Sequence, residues 1–496
     1  MKKCIIIGSG LGGLSSGCIL AKNGYDVTIL EQGNQIGGCL QCFKRGDSIF
    51  DTGMHYIGSA DKGQTLYAMF KYLGILSEVK LQKLDTNGYD IISYMGEHYR
   101  LANGRENFVT ALAEKFPESK EELYRYYDTI KLVASSSAIH SLNENVDLNI
   151  HAEYQLKSVN DVIDAIITDS KLKQVLTGIL PLYAGEKDKT PFTTHALIMD
   201  FYLESAYRII GGSSVVADVL ATQISKMNGR ILTNKKVVKI ETDDRRATGV
   251  ITEDGNSFKA DLIISSIHPA CTMELTSSKL LRTAYRKRVK EFHNTTSAFV
   301  VYLKFRKDMV QYMNHNLYYY RGDSTWGCEK YDEQSWPKSI LYMHFCHKEN
   351  PKYADSGEII TYMDFNEMKP WLGTHVGNRG EDYKKFKDKK AETIIDAMET
   401  EIPGLRDCIE CYYTSTPLTY HDYTGIPEGA MYGVAKDVNA IGLGTVSCRT
   451  KIPNLLLTGQ SITSHGMMGV LAGSFITCSE ILTTEALFPQ LKESLE

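Results

Sequence analysis

Near the start of the chain a run of glycines is followed by an isolated acid, and the spacing defines a chemistry. Gly8-Ser9-Gly10-Leu11-Gly12-Gly13 has the Gly-x-Gly-x-x-Gly pattern of a dinucleotide cradle, and Glu31 follows about 20 residues on. Gly8 permits a tight turn. Gly10 lets backbone approach a pyrophosphate. Gly13 lets a helix pack closely on the preceding strand. A carboxylate at Glu31 accepts hydrogen bonds from an adenosine ribose, each worth roughly 1.5–3 kcal/mol. These groups need a βαβ unit to position them. Cys4 to Ile7 reads as a buried parallel strand and Leu14 to Asn23 as a helix ended by Gly24. Asp26 to Leu30 reads as the second strand. The helix N-terminus then offers free N–H donors and about half a positive charge to the phosphates.

Gly37-Gly38 narrows the dinucleotide to FAD. A nicotinamide site has no standing need for paired glycines soon after the ribose acid, whereas flavin enzymes run bare backbone beside the nucleotide there. The predicted contacts from this half are Gly8, Ser9, Gly10, Leu11, Gly12, Gly13, Glu31, Gln32, Gly37, Gly38, Cys39 and Met54. At the far end, Leu455 to Leu457 reads as a buried strand running into Thr458-Gly459-Gln460. Gly459 allows approach to a ribityl chain and Gln460 can hydrogen-bond it. A helix starting near Met467 to Gly469 adds Met468, Gly469 and Val470. Its N-terminus favours the anionic reduced flavin by about 0.3–1 kcal/mol.

Four segments carry a family resemblance. Glu31-Gln32, Gly37-Gly38-Cys39 and the run Phe50-Asp-Thr-Gly-Met-His-Tyr-Ile-Gly58 come first. THALIMDFYLESAYRIIGGSS (Thr194 to Ser214), TPLTYHDYTGIPEGAMYG (Thr416 to Gly433) and IPNLLLTGQSITSHGMMGVLAGSFITCSEIL (Ile452 to Leu482) follow in order. Together they resemble the retinol saturase branch of the phytoene desaturase and carotenoid isomerase superfamily. The chain departs from that pattern at Cys39, Gln460 and Ile209, where relatives carry a basic residue, an acid and proline. The resemblance implies an α/β fold: a discontinuous Rossmann-type FAD-binding domain with an inserted α+β substrate domain. The segments would be residues 1–105, 206–284 and 411–496 for FAD, and 106–205 and 285–410 for substrate. It implies an FAD enzyme acting on carbon–carbon double bonds of an apolar polyene or isoprenoid. It also implies an adenine contact at the backbone near Val238; a plain hairpin there is the other reading.

Between the FAD segments, residues 106–205 look mainly helical, for example Val159 to Ile179. Ser297 to Phe305, Ser339 to Cys346 and Glu358 to Asp364 read as strands, with a charged helix after Tyr383. Residues 230–268 read as a β-meander that includes Ile231-Leu232 and Ala260 to Ser265. Thirty tyrosines, densest at Tyr318-Tyr319-Tyr320, offer walls for an apolar slot or the edge of an ordinary core. His55, His195, His421 and His465 lie in the segments that carry the resemblance. His55 and His465 are the preferred catalytic residues, as proton donors beside flavin-contact glycines. Cys39-x-x-Cys42 and Cys408-x-x-Cys411 lack the wider thiol spacing and second fingerprint of disulfide reductases. His344 and His347, three apart in a strand, face opposite ways. No metal site is expected.

With 496 residues there is room for two or three domains, and a net charge of −5 argues against a nucleic-acid partner. Eleven scattered cysteines fit a reducing compartment. The apolar run after Lys2-Lys3 is too short for a signal peptide, so the expectation is a cytoplasmic protein, with peripheral membrane contact to collect a lipid compatible with the composition. The electron partner (NAD(P)H, a quinone or oxygen), the direction of reaction and the oligomeric state leave no signature. Two other readings share the architecture: a flavin amine oxidase, and a prenyl-lipid carrier that makes no use of flavin. The intact glycines and Glu31 speak against the carrier.

Overall fold

The computed structural model describes residues 1–346, 348–440 and 446–496. Its first sheet is parallel, with the strand order Arg230–Leu232, Asp26–Leu30, Lys3–Ile7, Leu262–Ser265, Leu455–Leu457. Three distant stretches of chain therefore share one sheet. Cys4 to Ile7 are buried, as the apolar run requires for an interior parallel strand. The helix Leu11–Lys22 follows, buried from Leu11 to Ala21. It packs against Gly466–Leu482 and Ser214–Lys226, and Ser15 Oγ meets Ser474 Oγ at 2.7 Å across the first of these contacts. The helix ends at Asn23, and Gly24 takes the left-handed conformation that stops it (φ 82°).

Two sequence expectations are corrected here. The helix begins at Leu11 rather than Leu14, because Gly10 serves as its N-cap and the glycines after it belong to the first turn. The expected meander over 230–268 contains only Val237–Thr242, Ala247–Thr252 and Ser257–Lys259. Arg230–Leu232 and Leu262–Ser265 join the parallel sheet instead. Leu262–Ser265 is buried at every position, which suits a strand covered on both faces.

The second sheet has seven strands in the order Ile409–Ser415, Ser297–Phe305, Ser356–Met363, Ser339–Phe345, Asn316–Tyr320, Asp90–Tyr94, Glu97–Leu101. All neighbours are antiparallel except Asn316–Tyr320 with Asp90–Tyr94. Asp90–Tyr94 and Glu97–Leu101 fall in the segment 1–105 that the sequence assigns to FAD, yet they hydrogen-bond into this other sheet. Pairing between strands so far apart has no local signature. Helices Arg105–Ala113, Lys120–Ser135 and Phe192–Glu204 cover one face, and the charged helix Glu381–Glu401 packs on the other. The helix expected from Val159 to Ile179 is broken into Val159–Ile166 and Ser170–Leu176. Asp169 caps the second piece by accepting from the N–H groups of Lys171 and Leu172.

Candidate active site

One cavity runs between the two sheets, with about 2330 Å³ of atom-free space including its mouth. Both ends of the chain build its wall. From the N-terminal half come Gly8, Gly10, Leu11, Gly12, Glu31, Gln32, Gly37, Gly38, Cys39, Met54 and His55. From the C-terminal half come Gly459, Gln460, His465, Met468 and Val470. The two halves touch directly: a Cβ on Gly12 would stand 3.0 Å from Gly459 Cα.

Four predicted contacts do not line the cavity. Ser9 is fully buried and acts through Glu31: its N–H and Oγ donate to Glu31 Oε2 at 2.9 and 2.6 Å. Gly13 lies against Gly8, where a Cβ would be 2.0 Å from the carbonyl oxygen. Gly469 packs on Ser464, 2.7 Å from where its Cβ would be. Val238 is exposed, and its neighbours Lys235, Lys236 and Val237 face the cavity in its place. Alternation along Val237–Thr242 turns the two valines to opposite sides.

The cradle fits a flavin dinucleotide on its own geometry. No side chain caps the helix at Gly10, and a Cβ on Gly10 would meet nothing within 4 Å, so bare backbone faces the cavity where the helix dipole is positive. The second helix, Gly466–Leu482, is likewise uncapped at His465. Three buried polar atoms on the wall, His55 Nδ1, Thr458 Oγ1 and His465 Nε2, have no hydrogen-bond partner among the described residues. Glu31 Oε1 accepts from Gly33 N–H at 2.8 Å, so both carboxylate oxygens are held in place beside the cavity.

The histidines separate by environment. His55 lines the cavity with Nδ1 2.9 Å from Glu358 Oε2. His465 lines it too, its ring against Tyr432 at 4.4 Å between centroids. Burial, reinforced by Lys436, pushes His465 down to about 3, so it is a neutral imidazole near pH 7. His195 is buried elsewhere, between the hydroxyls of Tyr126 (2.6 Å) and Tyr183 (2.7 Å). His421 pairs with Asp422 outside the cavity. Among the histidines that line the cavity, the one beside a carboxylate is thus His55.

The next residue has a buried acid as well. Tyr56 donates to Asp90 Oδ2 at 3.0 Å and shares a 2.6 Å contact with the Tyr318 hydroxyl, while Asn316 Nδ2 donates to Asp90 Oδ1 at 2.7 Å. Burial lifts Asp90 to about 7 against the pull of these donors. Tyr318 is therefore part of a polar cluster behind the wall, and Tyr320 bonds the Gly178 carbonyl; neither lines the cavity. The aromatic lining comes instead from Tyr56, Phe201, Tyr202, Tyr362, Tyr420, Tyr423 and Tyr432.

Sequence reasoning missed Glu358 and Asp90. Each is an acid within an otherwise apolar strand, Ser-Gly-Glu-Ile-Ile-Thr-Tyr-Met and Asp-Ile-Ile-Ser-Tyr, and that mismatch was the available signal. The thiols, by contrast, are quiet. Burial pushes Cys39 up to about 11 and Cys42 up to about 12, leaving both protonated at neutral pH, and every cysteine is free. His344 is buried against Tyr342 and Met313, while His347 lies outside the described residues. Among the described residues no cluster of ligands could hold a metal, and no helix is long and apolar enough to cross a membrane.

A parallel sheet with a glycine cradle, an acid at the end of its second strand and a second helix N-terminus on one cavity has the layout of a flavin-dependent oxidoreductase. Residues 11–471 match the family described as flavin containing amine oxidoreductase, and the chain belongs to that family. Within it the chain is similar to human all-trans-retinol 13,14-reductase, 26% identical over 98% of this chain and 86% of the relative. It is similar to the 1-hydroxycarotenoid 3,4-desaturase of a Flavobacterium, 24% identical over 98% of this chain and 100% of the relative. A solved oxidoreductase from Methanosarcina mazei shares the fold with a TM-score of 0.66, at 17% identity over 96% of this chain and 100% of that one.

Proposed function

We propose that this protein is an FAD-dependent oxidoreductase acting on carbon–carbon double bonds of an apolar polyene or isoprenoid. One observation carries the choice of substrate. Among the described residues, the charged side chains lining the cavity are Glu31, Lys235 and Lys236, all at its nucleotide end. The rest is walled by groups such as Ile198, Phe201, Leu341, Ile360 and Met431, with tyrosines and histidines among them. Such a wall removes water from an apolar chain at about 25 cal/mol per Å² buried. It offers no carboxylate to an ammonium ion. The relatives named for a retinol reductase and a carotenoid desaturase support the same class.

FAD, once bound, supplies hydride transfer at N5. The residues of this chain do the rest. Gly10, Leu11 and Gly12 present backbone to the pyrophosphate, Glu31 takes the ribose, and Gly459 and Gln460 take the ribityl chain. Met468 and Val470 sit at the helix end that favours negative charge on the pyrimidine. The apolar wall excludes water, and His55 stands ready to exchange a proton with substrate carbon. Likeness to the reductase favours saturation. The electron partner is of the nicotinamide, quinone or oxygen class.

The test is anaerobic. Retinoids and carotenoids are added separately to photoreduced flavin, and simple amines to the oxidised flavin. Return of the oxidised spectrum with a conjugated polyene is the expected result. A polyene reacts with the reduced flavin, whereas an amine reduces the oxidised one. Rapid bleaching of the oxidised flavin by amines, with no response to any unsaturated lipid, would overturn the proposal in favour of an amine oxidase.

A further inference from the structure

We propose that Glu358 is the positioning residue for His55, and that the pair holds at the cavity wall the proton delivered to substrate carbon. The inference rests on the double-bond reading above and names a group that acts within it.

Glu358 lies in the middle of the interior strand Ser356–Met363 with its side chain fully buried. A carboxylate there is costly unless it is paired. One oxygen, Oε1, accepts from the Asp51 N–H at 3.0 Å. The other, Oε2, lies 2.9 Å from His55 Nδ1 but out of line for a hydrogen bond, so both atoms lack an aligned partner. The remaining titratable groups facing Glu358 are Asp51, Tyr302 and Tyr420. Asp51 is already engaged by the Ser213 N–H and hydroxyl at 2.7 and 2.6 Å and by the Cys42 thiol at 3.2 Å. It adds like charge beside Glu358. Burial holds the Glu358 carboxyl above the usual carboxylate range while His55 pulls it down. At 2.9 Å, and with neither atom otherwise bonded, the imidazole is the group placed to share a proton with Glu358.

The geometry fixes which nitrogen works. With Nδ1 turned to Glu358, Nε2 is the nitrogen left for the cavity that His55 lines. In the saturating direction a hydride from reduced flavin forms one new C–H bond, and the π electrons move to the neighbouring carbon. That carbon takes the proton from His55 Nε2: the N–H bond breaks as the second C–H bond forms. The double bond is reduced, the flavin is oxidised, and the pair is left as carboxylate and neutral imidazole. It regains one proton from solvent, and the flavin regains two electrons and one proton from the nicotinamide- or quinol-class donor.

The test uses the full chain and two readouts. The first needs no substrate: ¹⁵N-histidine NMR of wild type and Glu358→Gln, with His55 assigned through His55→Gln. The His55 ring resonances are expected to move in Glu358→Gln; unchanged resonances overturn the pairing. The second is reoxidation of photoreduced flavin by the active polyene across pH. Glu358→Gln should be slower by roughly 10²-fold with an altered pH profile. The double variant should be no slower than His55→Gln alone, because the two residues act as a unit. A wild-type rate and pH profile in Glu358→Gln, or multiplicative losses in the double variant, would overturn the proposal. Should Glu358→Gln fail to fold, Glu358→Asp takes its place, with the same outcomes deciding. If no polyene reoxidises the wild-type flavin, the double-bond reading fails, while the NMR arm still decides the pair.

Discussion

Adding one methyl group at two positions three residues apart should have opposite consequences. Gly10 has ordinary extended backbone (φ −63°, ψ 172°), and a Cβ there would meet no protein atom within 4 Å. Gly10→Ala should therefore keep the stability of the flavin-free protein within about 0.5 kcal/mol. The new methyl would instead occupy the space that the proposed pyrophosphate contact requires. An overpacking cost of about 1–3 kcal/mol corresponds to flavin binding weakened roughly 5- to 150-fold. At Gly13 the Cβ would stand 2.0 Å from the Gly8 carbonyl oxygen and 2.9 Å from Ser266 Oγ. The carbonyl is backbone at the tight turn and cannot rotate away. Gly13→Ala should lower stability by about 1–3 kcal/mol, net of the ~1 kcal/mol that alanine gains over glycine in a helix. The assays are flavin titration by fluorescence quenching and urea unfolding of each flavin-free variant. Wild-type flavin affinity in Gly10→Ala would refute the cradle. A destabilised Gly10→Ala with an undisturbed Gly13→Ala would show that the roles have been assigned backwards.

Other consequences are testable singly. Glu31→Ala should reduce flavin retention at least about tenfold, since charged hydrogen bonds contribute ~1.5–3 kcal/mol each, while the fold survives; unchanged flavin content removes Glu31 from the ribose. His465→Asn should weaken flavin binding but leave the pH profile of reoxidation unmoved, because the native imidazole is already neutral; a profile that shifts would return His465 to proton transfer. Burial holds the Asp90 carboxyl up to about 7 in the folded protein, whereas the unfolded chain loses its proton near the ordinary carboxylate value of 3.8. The native state binds more protons between these values, so the contribution is full below the lower one and lost as pH rises to the upper. That is up to about 4 kcal/mol, at 1.36 kcal/mol per pH unit. Asp90→Asn should flatten this part of the stability–pH curve, read by urea unfolding from pH 4 to 7; an identical slope in the variant would contradict the assignment.

Local chemistry determined the two ends of this protein. Gly8 to Gly13, Glu31 and Gly37-Gly38 announce a nucleotide cradle, because tight turns and close backbone approach demand residues without side chains at fixed offsets. Strands Asp26–Leu30, Ser297–Phe305 and Leu455–Leu457 are found where their apolar runs predict them. Tertiary structure alone decided which strands share a sheet. Ile231 and Leu262 look like parts of one meander until parallel partners from the N-terminus claim them, and Asp90 looks like part of the nucleotide segment until Asn316 pairs with it. The pair at the heart of the proton argument was equally invisible. The Asp51 N–H and Glu358 meet across 307 residues of chain, with His55 beside them. Sequence spacing encodes what neighbours within one turn or strand must be; contact between distant strands arises from the burial of their shared faces, and no short-range pattern records it.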